Sequence, residues 1–261
     1  LKSVFKSLFL MLLAPVASAN LLVNGSFDDT GSPQEFQSVA SAHASPGTER
    51  YLDTLDVHKN WGIFTGVPGW SVIQGDFIEV LHTGADTDAD GNNFSNNGVY
   101  DDGDVKAHTE GLFVELDLDQ SINNQSINAA IGQTLIDLMI GATYEIEFYY
   151  QPRTDIVDDN GIAVSWFDGD LTGFDSAQSV LEVDGEADTW QLRTDIDDNG
   201  WLKYTALVEA TSSTMSIAFA GQGGVNGRGG FIDSVSVTKV PLPATSLLLL
   251  TLIPLIGRFR K

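Results

Sequence analysis

Residues 144–150 alternate without a break. Tyr144, Ile146, Phe148 and Tyr150 occupy one parity, and Glu145 and Glu147 the other. In an extended chain successive side chains point to opposite faces, so the segment reads as a strand with one apolar and one polar face. The same period runs through Gly161–Trp166, with Ile162, Val164 and Trp166 together, and through Thr214–Ala220, with Met215, Ile217 and Phe219 together. Further strands are expected at Leu21–Phe27, Trp70–Ile73, Phe77–Leu81, Leu112–Leu118, Ile131–Ile136, Leu202–Glu209 and Gly230–Thr238. Loops rich in Gly, Asp and Asn supply turn chemistry between them. Residues 120–140 come nearest to an amphipathic helix, but Gly132, Gly141 and the isoleucine-rich pattern favour strand. About ten short strands without a helix predict an all-β, antiparallel β-sandwich of jelly-roll type. No internal repeat is visible. Asp28–Asn60 and Thr83–Thr109 read as long exposed loops, which are usually functional or mobile.

Both ends stand apart from this pattern. Lys2 and Lys6 precede an apolar stretch from Leu8 to Val16, and Ala17-Ser18-Ala19 is a small-residue cleavage site. That is the layout of a secretory signal peptide over residues 1–19, with the mature chain starting at Asn20. Leu1 in place of Met points to an alternative start codon or a shortened gene sequence. At the other end, Val240-Pro241-Leu242-Pro243-Ala244 is followed by an apolar run, Ser246–Ile256, and then by Arg258, Arg260 and Lys261. The run is shorter than the ~20 apolar residues of a full span. The basic end would stay on the cytoplasmic side, so temporary retention at a membrane suits it better than a permanent anchor.

Charge narrows the partners. Five of the 13 basic residues lie in the two end segments and none of the 36 acidic ones does, which leaves the body with a formal charge of −28. Such a field disfavours nucleic acid and anionic lipid surfaces and attracts cations. A high-salt habitat and a specific calcium role both account for it. Cysteine is absent, which excludes a disulfide framework, thiol catalysis and thiolate metal sites.

The tripartite tail resembles the PEP-CTERM class of bacterial sorting signals, in the variant that reads Val-Pro-Leu-Pro-Ala. Leu242 stands where the commoner form has Glu. The resemblance implies processing by an exosortase-type membrane peptidase in a Gram-negative bacterium. It also implies delivery to the envelope surface or the extracellular matrix, with only transient membrane contact. Residues 240–261 would then be removable, which leaves residues 20–239 as the folded domain.

A second resemblance spans most of that domain. Asn24-Gly25-Ser26-Phe27-Asp28 is followed by Val67-Pro68-Gly69-Trp70, Ile78-Glu79-Val80 and Val114-Glu115-Leu116. Gln133, Gly141–Ile146, Tyr150-Gln151-Pro152-Arg153, Val164-Ser165-Trp166 and Phe231–Val237 come after them in order. The succession is similar to galactose-binding-like β-sandwich domains, particularly the DUF642 type found on plant and bacterial surfaces. Such domains often hold one structural Ca²⁺ between their opening and closing strands, which the resemblance places at Asp28 and Asp233. Asp28 stands where these domains usually have Glu, and its shorter reach bears on that site. The alternative is that Asp28 caps a turn and Asp233 bonds backbone.

Other calcium candidates follow from spacing. Asp86, Asp88 and Asp90, followed by Gly91, reproduce the first half of an EF-hand loop, but position 12 is Asn97 and no helices flank it. The segment is therefore a looser calcium loop or a solvated turn. Asp195–Gly200 and Asp158–Gly161 favour the solvated turn.

Carbohydrate binding needs flat aromatic faces and a few placed polar groups. Of the five tryptophans, Trp70 and Trp166 read as core, whereas Trp190 and Trp201 flank an acidic loop and are expected to be exposed. Glu79, Glu115 and Arg153 occupy polar positions of the family-like motifs, where carboxylates and a guanidinium fork could bond sugar hydroxyls. Alternatively Arg153 merely offsets surrounding acid. His43, His58, His82 and His108 lack zinc spacing, and no nucleophile elbow or phosphate loop is present. Chance pairs among 36 carboxylates define no glycosidase acid pair. The expectation is a non-catalytic protein that binds extracellular polysaccharide. Two rivals are a calcium-bridged structural matrix protein and a polysaccharide-modifying enzyme.

Overall fold

The computed structural model describes residues 19–31, 61–83, 106–109, 111–118, 127–153, 157–183, 195–227 and 229–241. Asp86, Asp88, Asp90, Trp190, Ala17, Leu242, Pro243, Ala244, Arg258, Arg260 and Lys261 lie outside these residues.

Among the described residues fourteen strands are formed: β1 Trp61–Phe64, β2 Gly66–Val67, β3 Trp70–Gln74, β4 Ile78–His82, β5 Leu112–Glu115, β6 Asp117–Leu118 and β7 Ile127–Asn128, then β8 Ala130–Leu135, β9 Thr143–Gln151, β10 Gly161–Asp168, β11 Leu181–Val183, β12 Leu202–Glu209, β13 Met215–Gln222 and β14 Phe231–Lys239. One six-stranded sheet has the order β1-β4-β5-β14-β9-β12 and the other β11-β10-β13-β8-β3-β2; β6 and β7 pair separately. All pairings are antiparallel. The chain is therefore an all-β, two-sheet antiparallel sandwich.

Alternation explains the core. Ile146, Phe148 and Tyr150 of β9 are fully buried, as are Ile162 and Val164 of β10 and Ile217 and Phe219 of β13. Phe148 and Phe219 meet edge-to-face across the two sheets with ring centroids 5.1 Å apart. Trp70 is core as expected, with its Nε1–H donating to the Asn24 carbonyl at 2.9 Å. Trp166 is half-buried against the same core.

Two strand expectations are corrected. Leu21–Phe27 is not a strand but a turn, with Asn24 at φ 53° and Phe27 at φ 62°. The Asn24 amide stabilises it, accepting from Asp29 N–H and donating to the Asp29 and Pro68 carbonyls. The segment still lies along β14, bonded through Leu21 N–H to Val237 O and Val235 N–H to Gly25 O. Gly25 is required there, because a Cβ would sit 2.0 Å from the Val235 carbonyl oxygen.

Leu112–Leu118 breaks at Leu116 into β5 and β6. The Leu116 carbonyl leaves the large sheet and accepts from Ala129 N–H at 2.7 Å. β1, β2, β7 and β11 lie outside the strands that the alternation predicts, and three of them have two or three residues, too few to show a period.

Candidate functional site

The β1–β12 sheet has two unlike faces. Ile78, Val80, Leu112 and Val114 point into the sandwich core, so Glu79, Leu81, Phe113 and Glu115 lie on the outer face. Across the strands Ile63, Glu79, Glu115, Phe231 and Gln151 occupy one register row of that face. A second apolar cluster, including Ile63, Leu81, Phe113, Phe231 and Trp201, covers its β1–β5 side.

The structure thus brings together Glu79, Glu115 and Arg153, and it seals them in. Both Glu115 oxygens accept from Arg153 Nη1, with Oε1 at 2.6 Å, and Gly229 N–H also donates to Oε1. The same nitrogen reaches the Gly227 carbonyl at 2.8 Å. Burial pushes the Glu115 carboxyl up from its ordinary value, against the pull of Arg153 and Gly229 and helped by the Asp117 charge. Asp117 grips the same loop, accepting from Asn226 and Gly227 N–H at 3.0 Å. Beside this clasp lies Gln151, fully buried, whose Oε1 and Nε2 have no hydrogen-bond partner among the described residues.

Trp201 corrects the expectation of exposure: it is 1% exposed. Asp197 Oδ1 caps the acidic turn by accepting from Asn199 and Trp201 N–H, which swings the indole inward. There it meets Phe113 edge-to-face at 5.8 Å and donates to the Lys106 carbonyl at 2.7 Å. Burying so large a ring outweighs exposing it beside acid.

Asp28 and Asp233 hold the backbone of Thr109, Gly111 and Leu112. Asp28 Oδ1 accepts from Gly111 N–H at 2.9 Å and Leu112 N–H at 2.8 Å. Asp233 Oδ2 accepts from Thr109 N–H at 3.0 Å, and its Oδ1 from Ser234 N–H. Burial, aided by the Asp28 charge, pushes the Asp233 carboxyl up to about 8 despite these donors. Asp28 Oδ2 is buried without a hydrogen-bond partner among the described residues. That unsatisfied hard oxygen is of the ligand type Ca²⁺ takes, but it is one oxygen where about six to eight are needed. The same residues also make the turn cap and backbone bonds of the alternative reading. Among the described residues no group of three or more acidic or histidine side chains could hold a metal.

Sequence reasoning missed a cluster on the same face. The His108 ring stacks on Tyr149 with centroids 3.4 Å apart. Its Nδ1 lies 2.8 Å from Ser234 Oγ, and its Nε2 3.8 Å from Asp197 Oδ2. Thr109 Oγ1 is 2.6 Å from the same serine oxygen. Burial pushes the His108 pKa down, against Asp197 and Glu147. Hydroxyl, imidazole and carboxylate in this order resemble a nucleophile relay. However, the Ser234 and Thr109 N–H groups both serve Asp233, so neither is free for a developing oxyanion. What the cluster visibly does is fasten residues 106–109 onto β9 and β14. Ser234 sits 126 positions from His108, at φ 50° beside a bulge of β14. No local pattern could have announced that contact. Tyr149, by contrast, shares the parity of Glu145 and Glu147 and was legible.

The β9–β12 side of this face is open. Glu147 and Lys203 form an ion pair at 2.6 Å, which holds the Lys203 pKa above its ordinary value. Ser236, Glu147 and Thr205 follow one another across β14, β9 and β12, and Asp233, Tyr149 and Lys203 form the neighbouring row.

No family model and no curated protein matches the chain. Several solved structures are similar at low identity. A cyclase from Fischerella sp. TAU, in complex with 4-(1H-indol-3-yl)butan-2-one, is 16% identical over 87% of this chain and 100% of that one, with a TM-score of 0.47. A CBM4 structure is 14% identical over 84% and 99%, with a TM-score of 0.35. TmCBM61 in complex with β-1,4-galactotriose is 13% identical over 85% and 100%, with a TM-score of 0.34. Likeness this distant decides neither family nor activity.

Proposed function

We propose that the chain is an exported, surface-sorted, non-catalytic carbohydrate-binding protein of the envelope or an exopolysaccharide matrix, on a galactose-binding-like jelly roll. The observation that carries this reading is the open strip of β14, β9 and β12. It sets a carboxylate, an ammonium and two hydroxyls (Glu147, Lys203, Thr205, Ser236) beside the half-buried Tyr149 ring, on one sheet. Sugar hydroxyls need such mixed donors and acceptors, and a sheet holds them preorganised. Asn20 would begin the mature chain. The segment after Val240 would hold it at a membrane until an exosortase-type peptidase releases it.

A second reading, a calcium-bridged matrix protein, draws on Asp28 Oδ2, which is buried near Asp233 without a hydrogen-bond partner among the described residues. There the two carboxylates would contribute ligands, and the ion would supply charge that offsets their mutual repulsion. Calorimetric titration against a glycan panel, with calcium and with EDTA, separates the two. Glycan binding that survives EDTA supports the first. Absence of binding at any calcium level sinks it, and calcium-dependent self-association without glycan binding supports the second.

A further inference from the structure

The turn between β8 and β9 carries three large apolar side chains in water. Ile136 is 69% exposed, Met139 58% and Ile140 64%. Solitary exposed apolar residues need no explanation, but three within five positions do. The turn is held firmly. Leu138 N–H donates to Ser213 O at 3.0 Å, Met139 N–H to Tyr144 Oη at 2.9 Å and Gly141 N–H to Ala210 O at 2.8 Å. The Leu138 side chain is buried below them. Asp137 at φ 60° and Gly141 at φ 76° turn the backbone so that its neighbours face outward. The apolar tip is thus preorganised.

The chain leaves the domain at the same place. Val240 N–H donates to Thr143 O at 2.9 Å, and Lys239 Nζ lies 3.2 Å from Met139 Sδ. The apolar run starting at Ser246 is six residues beyond Val240. Even fully extended, those residues reach at most about 22 Å. Whatever apolar medium takes up Ser246–Ile256 is therefore within a short tether of the tip.

We infer that Ile136, Met139 and Ile140 form a membrane-contacting tip, which dips into the lipid interface while the C-terminal segment is inserted. The inference rests on the reading of that segment as a membrane anchor. The body's charge of −28 opposes close approach to anionic headgroups, so contact is confined to this apolar tip and the ammonium of Lys239 beside it. One apolar run of 11 residues, Ser246–Ile256, and one rigid tip make two attachment points, which fixes how the sandwich stands on the surface.

The absence of cysteine makes the test direct. Met139→Cys and Ile140→Cys, and the control Asp198→Cys on the acidic turn before β12, are each labelled with an environment-sensitive fluorophore. Labels are placed in the full chain and in the chain starting at Asn20. Proteins are mixed with phosphatidylethanolamine–phosphatidylglycerol vesicles carrying a lipid-borne quencher, and flotation is recorded. Vesicle-bound protein whose labels at 139 and 140 shift to the blue and are quenched, with 198 unchanged, supports the inference. Flotation with unshifted tip labels overturns the tip alone. Failure to float overturns the anchor reading and the tip with it. A blue shift without lipid also overturns the proposal. It then marks a second copy if it grows with protein concentration, or the chain's own tail if it does not. Near-ultraviolet circular dichroism confirms that each variant is folded.

Discussion

Glu115 on β5 and Arg153, two residues past β9, form a buried ion pair in which one guanidinium nitrogen serves both carboxylate oxygens. The pair holds Gly227 and Gly229 over the outer face through the Gly227 carbonyl and the Gly229 N–H. Breaking one side of such a pair leaves a buried charge, which costs about 3–5 kcal/mol. Arg153→Met should lower stability by that order in urea unfolding. Glu115→Gln added to it should restore part of the loss, with a coupling of about 0.5–3 kcal/mol. Because burial already raises the Glu115 pKa, Arg153→Met should be less damaging in acid, where the carboxyl can protonate. Equal damage at all pH values would refute the pair as the source.

Asp233 makes stability depend on pH in the unusual direction. Its folded pKa of about 8 lies above the ordinary 3.8. Between those values the native state binds more protons than the unfolded one, so stability falls as pH rises. The contribution is fully present below about pH 4 and is lost as pH passes about 8. Thermal melting across this window should show the decline, and Asp233→Asn should flatten it. If Asp28 and Asp233 hold Ca²⁺, adding calcium near pH 8 should raise the melting temperature of the unaltered chain and leave Asp233→Asn unmoved. A rise in both would place the ion elsewhere.

Gly25→Ala should be among the most destabilising single-methyl additions. The new Cβ would fall 2.0 Å from the Val235 carbonyl oxygen, which is backbone and cannot swing aside. The opening segment would have to leave β14, breaking Val235 N–H to Gly25 O and straining Phe27, which packs on Trp70 at 5.3 Å. A loss of about 1–3 kcal/mol is expected from such overpacking. Hydrogen exchange should show residues 235–237 losing protection first. Unchanged protection there would mean that the segment is not held by this contact.

Which features the sequence disclosed follows from how local they are. The period-two pattern of Tyr144–Tyr150 is a property of consecutive residues, and it placed β9 and its two faces correctly. Asn24-Gly25 carries turn chemistry just as local, yet the flanking apolar residues suggested strand; the asparagine's own amide bonds decided otherwise. Glu79 and Glu115 proved to be register neighbours because both sit at the polar parity of alternating strands. Their burial was not legible, since it depends on Trp201, Phe113 and Phe231 gathering over that face from distant parts of the chain. The His108–Ser234 contact is of the same non-local kind.

The carbohydrate reading makes a demand on Tyr149 and Glu147 that a purely structural role would not. Both are partly exposed on the open side of the face, and Glu147 meets Lys203 at a surface where ion pairs contribute little to stability. Glu147→Gln should therefore change the melting temperature little. Loss of a hydrogen bond from a charged group to sugar should weaken glycan binding about tenfold or more, equivalent to ~1.5–3 kcal/mol. Tyr149→Leu should weaken it similarly while also loosening His108, whose ring stacks on Tyr149. Calorimetry on a glycan that binds the unaltered chain, paired with melting curves, reads both effects. If Glu147→Gln and Tyr149→Leu bind that glycan with unchanged affinity, the open strip of β14, β9 and β12 is not where the sugar sits.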